Sequence, residues 1–142
     1  MRGLWLEEGQ LLWREDLPPP APSPGEAVMD LRLAGICGTD LAMTRGYADY
    51  TGIPGHEFVG QVAAAPDDPS LVGARVVGEI NAACGQCATC RAGRPGHCPH
   101  RTVLGIAGRA GAFAEQLSLP LVNLHRVPDG VPDEVAVFCE PL

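Results

Sequence analysis

Gly35-Ile36-Cys37-Gly38-Thr39-Asp40, followed by Gly55-His56-Glu57, is the stretch from which the rest of the chain can be read. Cys37 offers a soft thiolate and His56 an imidazole nitrogen. Both are good zinc donors, and a catalytic zinc needs three protein ligands with one position left open. The gap between them is long enough for a loop to leave one strand and return beside it. Gly35, Gly38 and Gly55 allow the backbone to approach a metal or substrate where a Cβ would obstruct. Asp40 and Glu57 are carboxylates of the kind that hold a ligating imidazole in one tautomer and balance the charge of a metal. A lone buried cysteine is usually a small hydrophobe, and a lone histidine is usually a hydrogen-bonded core or surface residue. Their joint setting argues for the metal.

Length and composition bound the rest. One domain is expected from 142 residues. A content of 46% hydrophobic and 19% charged residues indicates a folded core, and the 18 glycines and 14 prolines indicate many turns and short strands. The net charge of −7 would repel phosphate backbones, so no nucleic acid is expected as a partner. No apolar run approaches the roughly 20 residues that span a bilayer, so no membrane is expected either. The opening Met1-Arg2-Gly3-Leu4-Trp5-Leu6-Glu7-Glu8 carries acids too early for a secretory signal. A cytoplasmic, reducing location is the expectation, with the cysteines as metal ligands rather than disulfides. A homo-oligomer is compatible with this composition.

Around the central stretch, Leu4–Leu6 and Leu11–Trp13 predict an opening hairpin, and Pro18–Gly25 a surface connection. Val28–Ala34 alternates as a half-buried strand that delivers Cys37 to its end. Thr39–Met43 predicts a short helix capped by Thr39 or Asp40. Tyr47–Pro54 reads as a loop, in which Tyr47 and Tyr50 either line a pocket mouth or cover a barrel. Phe58–Ala65, Ala74–Ile80 and Leu121–Val127 read as strands, with a turn at Asp67–Ser70. Gly105–Gly111 resembles a phosphate loop only superficially. No G-x-G occurs in the chain, so the dinucleotide fingerprint cannot be written on it. Val131–Phe138 predicts a short helix with Pro132 at its first position and Pro141 after its end.

Four of the six cysteines form C-x2-C-x2-C-x7-C, from Cys84, Cys87 and Cys90 to Cys98. Four thiolates at this spacing make a closed tetrahedral zinc site, structural rather than catalytic. An iron–sulfur cluster is the rival, since Cys98-Pro99 echoes the ending of ferredoxin runs, but those close with three intervening residues rather than seven. With four thiols already present, His97 and His100 read as surface residues.

Gly35-Ile36-Cys37-Gly38-Thr39-Asp40 with Gly55-His56-Glu57-Phe58-Val59-Gly60 resembles the zinc-dependent medium-chain alcohol dehydrogenases, in their catalytic, GroES-like domain. Gly73-Ala74-Arg75-Val76, the cysteine lobe and Gly111-Ala112-Phe113-Ala114-Glu115 extend the resemblance over nearly the whole chain. It implies a mainly β fold: a GroES-like β-barrel over residues 1–142, with short helices and a zinc lobe at about 81–101. It implies oxidation of an alcohol or polyol to an aldehyde or ketone, with zinc as Lewis acid and NAD or NADP as hydride acceptor. Cys139-Glu140-Pro141-Leu142 is similar to the polyol, threonine and glucose dehydrogenase branches. There the glutamate approaches the catalytic zinc, so Glu140 carries over as third ligand beside Cys37 and His56, with Cys139 its chemical competitor. Thr39 would be the relay hydroxyl, Asp40 would orient His56, and Glu57 would tune the ligand set. One departure stands out: Ala42 occupies the place where several alcohol dehydrogenases have a histidine that hands the proton to solvent. The family's Rossmann domain has no counterpart in these residues. Coenzyme binding is therefore expected only with such a domain, and the chain alone is expected to be inactive. A non-catalytic, zinc-stabilised interaction module is the alternative.

Overall fold

The computed structural model describes residues 1–140. Its first unit is the expected hairpin, β1 (Gly3–Glu7) and β2 (Gln10–Arg14), paired from Gly3 with Arg14 to Glu7 with Gln10. Glu8 and Gly9 make the two-residue turn, both at positive φ (49° and 75°), the geometry whose twist matches the flanking strands. Pro18–Ser23 runs as an irregular connection into β3 (Glu26–Gly35). Then follow α1 (Gly38–Met43), β4 (Glu57–Ala64), β5 (Arg75–Gly78) and β6 (Asn81–Ala82). The lobe carries α2 (Ala88–Arg91) and leads to β7 (Thr102–Leu104) and β8 (Gly108–Arg109). The chain continues through β9 (Gln116–Pro120), β10 (Leu124–Arg126) and α3 (Asp133–Ala136), and then a 3₁₀ turn, Val137–Cys139.

The principal sheet has the order β10-β5-β4-β3-β9 and is antiparallel throughout; β6, β7 and β8 form a second, three-stranded sheet at the base of the lobe. This curled, mainly β arrangement is the expected GroES-like architecture. Its core holds Met29, Phe58, Val62, Val76, Leu104, Leu117 and Leu119. Phe58 is 2% exposed, and truncating a side chain so enclosed to alanine typically costs about 3–5 kcal/mol. A second cluster of Val59, Val77, Val127, Ala136 and Val137 fastens α3 and the 3₁₀ turn to the other face of the sheet. Asp133 adds a polar clamp, taking hydrogen bonds from Arg32 at 2.8 Å and Arg75 at 2.7 Å. Among the described residues no helix is long and apolar enough to cross a membrane.

Several local expectations shift. The cap of α1 is Cys37, not Thr39 or Asp40. Pro132 caps α3 from outside rather than occupying its first helical position, while the expectation for Pro141 lies outside the described residues. Leu121–Val127 is not one strand, because Leu121–Asn123 forms a 3₁₀ turn before β10. The reason is Asn123, which turns inward to donate from Nδ2 to the carbonyls of Glu79 (2.8 Å) and Asn81 (3.0 Å). Gly111–Glu115, which the family resemblance would make part of a barrel strand, is irregular, yet its backbone is bonded to Pro54, Ile53 and Gly55. Gly55 sits at φ 93°, where a Cβ would strike the Phe113 ring.

Candidate functional site

The β3–β4 ladder ends with Gly35 opposite Glu57. The next residue outward on β4 is His56, and two beyond Gly35 is Cys37, so the ladder itself throws the two together. Cys37 Sγ lies 3.0 Å from His56 Nε2. Cys37 opens α1 as its N-cap: the sulfur accepts from Thr39 N–H at 3.2 Å, and Cys37 N–H donates to Asp40 Oδ2 at 2.9 Å. This is a reciprocal capping box with a thiol in the place of a hydroxyl. The Cys-x-x-Asp spacing was the signal for it in the sequence. A Cβ on Gly35 would run into the Glu57 carboxylate, so glycine leaves room for that buried side chain.

Asp40 and His56 are both buried, and Asp40 Oδ1 stands 3.4 Å from His56 Nδ1. That is too long for an ordinary hydrogen bond, and these are the two buried polar side-chain atoms without a partner among the described residues. The facing Asp40 carboxylate nonetheless outweighs burial and pushes the imidazole up to about 9. The Asp40 carboxyl is held low: burial opposes this, and His56 and the Cys37 N–H outweigh it. Glu140 follows the 3₁₀ turn, and its carboxylate lies within 4.8 Å of donor atoms of His56 and Glu57. Burial pushes its carboxyl up, with Glu57 adding to the rise and His56 opposing it. Cys37, Asp40 and His56 form one triplet of donors and His56, Glu57 and Glu140 another, joined at the imidazole. Thr39 is half-buried in the first turn of α1, and Cys139 is exposed. These donors fit a zinc ion: Nε2 faces a sulfur, Nδ1 faces a carboxylate, and the buried Glu57 and half-buried Glu140 carboxylates crowd together where a cation would relieve them.

In the lobe, the Sγ–Sγ separations are 3.5 Å for Cys87–Cys90 and Cys84–Cys98, and 3.9 Å for Cys84–Cys90 and Cys87–Cys98. A tetrahedron with Zn–S bonds of about 2.3 Å has edges of about 3.8 Å. Disulfide bonding, at about 2.05 Å, is excluded. Backbone N–H groups of Gln86 and Cys87 hold the Cys84 thiol down to about 6, while burial pushes Cys90 up to about 12. Four adjacent sulfurs cannot all ionise without a cation among them, so the donor set fits zinc. His97 and His100 are exposed, as expected.

Residues 23–129 match the alcohol dehydrogenase GroES-like domain. The chain belongs to that family. L-threonine 3-dehydrogenase of Stenotrophomonas maltophilia is 39% identical over 143 residues, which cover 95% of this chain and 42% of that protein. An alcohol dehydrogenase from Escherichia coli CFT073, solved in complex with NADH, superimposes with a TM-score of 0.88 at 36% identity, covering 99% of this chain and 42% of the other. Galactitol-1-phosphate dehydrogenase from Escherichia coli gives 0.86 at 27% identity, covering 99% and 42%. The chain thus spans less than half the length of the alcohol dehydrogenase family members it matches. Sequence reasoning missed the Asn123 clamp and the Arg109–Glu26 ion pair (2.7 Å), which ties the lobe sheet to β3. Neither carries a motif. Tyr50 does both: it lines a cavity beside Trp5 and Ile106, and its hydroxyl donates to the Ile53 carbonyl at 2.8 Å, with burial pushing it up to about 12.

Proposed function

We propose that the chain is the catalytic domain of a zinc-dependent, NAD(P)-linked dehydrogenase that oxidises an alcohol or polyol to an aldehyde or ketone. The observation that carries this reading is the approach of Cys37 Sγ to His56 Nε2 at 3.0 Å, with Asp40 behind the same ring. In this reading Cys37, His56 and Glu140 hold a catalytic zinc, and Cys84, Cys87, Cys90 and Cys98 a structural one in a lobe at about 81–101. The catalytic zinc would supply Lewis acidity, bringing the substrate hydroxyl within reach of a weak base at neutral pH. Thr39 Oγ1 receives the proton of that hydroxyl at the first turn of α1. Asp40 fixes the His56 ring through Nδ1, leaving Nε2 for the metal. Glu57, seated over Gly35, balances the charge of the ligand set. Ala42 offers no side chain to carry the proton onward, so it leaves Thr39 through water or the coenzyme ribose. The relatives named for threonine and galactitol 1-phosphate support a hydroxyl-bearing substrate, and the NADH-bound relative supports nicotinamide as hydride acceptor. The coenzyme would be bound by residues outside these 142, as the relatives' greater length suggests.

Metal analysis tests the reading. Two zinc ions per chain are expected, falling to one in His56→Ala, with the lobe metal retained. A single ion that survives His56→Ala unchanged would refute the second centre. Alcohol-dependent reduction of NAD⁺ or NADP⁺, assayed with any coenzyme-binding region the gene encodes, should be lost in the same variant.

A further inference from the structure

We infer, on the reading that both donor sets hold zinc, that the cysteine lobe governs metal binding at the Cys37–His56 centre, and that Tyr50 is the positioning residue through which the lobe holds His56 in place. The residues leading into His56 are tied down one by one. The carbonyls of Ile53, Pro54 and Gly55 accept from the N–H groups of Gly111 (2.7 Å), Phe113 (3.0 Å) and Ala112 (2.9 Å). The Gly55 carbonyl is packed so closely that a Cβ on Gly105 or Gly111 would run into it. Asp40 faces Nδ1 and governs the turn of the ring. Where the ring stands follows from the backbone at Gly55, and that backbone is seated on residues 105–113.

Residues 105–113 run on from the lobe and include β8. Cys84 lies just beyond β6 and Cys98 just before β7, and these two strands are paired. An ion held by the four sulfurs closes the loop between them, and binding energy at such a site is local folding energy. β7 in turn carries β8, where Arg109 donates from Nε to Thr102 Oγ1 on β7 at 3.1 Å.

Tyr50 joins the two ends of this path. Its hydroxyl lies 2.8 Å from the Ile53 carbonyl and 3.0 Å from the Arg109 carbonyl, with one proton to share between them. The phenol thus links the backbone just before His56 to the strand that leaves the lobe. With the lobe folded on its ion, His56 is presented to Cys37 already in place. With the lobe loosened, the imidazole has to be ordered when the metal binds, and affinity falls by that amount. Such coupling is reciprocal, so an occupied open centre also tightens the lobe.

Metal affinity at the open centre of the zinc-loaded protein, read by chelator competition, tests this. The visible spectrum of Co²⁺, loaded after a mild chelator has emptied that centre, is the second readout. Cys87→Ser with Cys90→Ser disables the lobe and should weaken the open centre by about 10-fold or more, the scale of losing a group that orients a metal ligand. Tyr50→Phe keeps the ring and removes the hydroxyl. It should weaken the open centre in the same direction and shift the cobalt bands, with the lobe zinc retained. Added to the lobe variant, Tyr50→Phe should have little further effect, because the path is already cut. Val62→Ala, a core truncation towards the far end of β4, should lower the melting temperature and leave the cobalt spectrum unchanged. If the lobe variant misfolds by circular dichroism, Tyr50→Phe against Val62→Ala decides alone. Unchanged affinity and spectrum in Tyr50→Phe, full additivity with the lobe variant, or an equal spectral shift in Val62→Ala would overturn the inference. A wild-type chain that takes up one ion only would remove the two-centre reading with it; two ions and an indifferent Tyr50 would leave that reading standing.

Discussion

Glu140 and Cys139 are neighbours in sequence with opposite surroundings. The carboxylate reaches His56 and Glu57, while the thiol is exposed. Consecutive residues in a helical turn point about 100° apart, so one of them at most can face the buried imidazole. Glu140→Ala should therefore weaken zinc at the Cys37–His56 centre by about 10-fold or more, by analogy with the loss of groups that support metal ligands. Cys139→Ser should leave that zinc in place at a cost of order 1 kcal/mol or less. Competition against a chromophoric chelator reads both affinities. The reverse pattern would transfer the third ligand to Cys139.

At the level of elements, the lobe and the β3–β4 ladder end should answer differently to metal removal. Four cysteines hold the lobe together with only the short helix α2 (Ala88–Arg91) and a 3₁₀ turn, Pro95–His97, between them. Binding energy there is local folding energy. A mild chelator should strip the open centre first and leave the sheet intact; loss of the lobe ion should then raise amide exchange across residues 84–98. Simultaneous loss of both with global unfolding would contradict this division. The clamp on α3 predicts a pH effect. Hydrogen bonding from Arg32, reinforced by Arg75, holds the Asp133 carboxyl below its ordinary 3.8. A lowered folded value means the stabilisation is complete above the unfolded value and is lost as pH falls through the folded one. The stability gap between the protein and Asp133→Asn should thus be widest near neutral pH and close below about pH 4, where the unfolded carboxyl protonates. Urea melts at several pH values would show a constant gap if the clamp were inert.

For the molecule as a whole, the strands are joined by hairpins and irregular crossings, and no βαβ unit occurs among the described residues. A pyrophosphate needs a glycine-rich turn opening onto a helix N-terminus. Calorimetric titration of these 142 residues with NAD(H) or NADP(H) should accordingly show no micromolar binding. A micromolar dissociation constant would mean that the barrel itself holds the coenzyme.

What the sequence determined by itself was whatever local chemistry dictates. The paired apolar runs Leu4–Leu6 and Leu11–Trp13 set the hairpin, the alternation of Met29, Leu31 and Leu33 set a strand, and C-x2-C-x2-C-x7-C brought four sulfurs into tetrahedral reach. Cys37, Asp40, His56 and Glu57 were legible as candidates because motif and spacing are properties of the chain. The tertiary structure decided what depends on distant partners. Register alone placed Gly35 opposite Glu57, and so Cys37 against His56. The packing of Val137 against Val59 and Val77 carried Glu140 to the imidazole from more than eighty residues away. Asn123 broke a strand that its own sequence would have continued, because the carbonyls of Glu79 and Asn81 needed a donor. Such contacts leave no periodic trace, since each joins segments whose separation along the chain is arbitrary and whose meeting is set by the sheet between them.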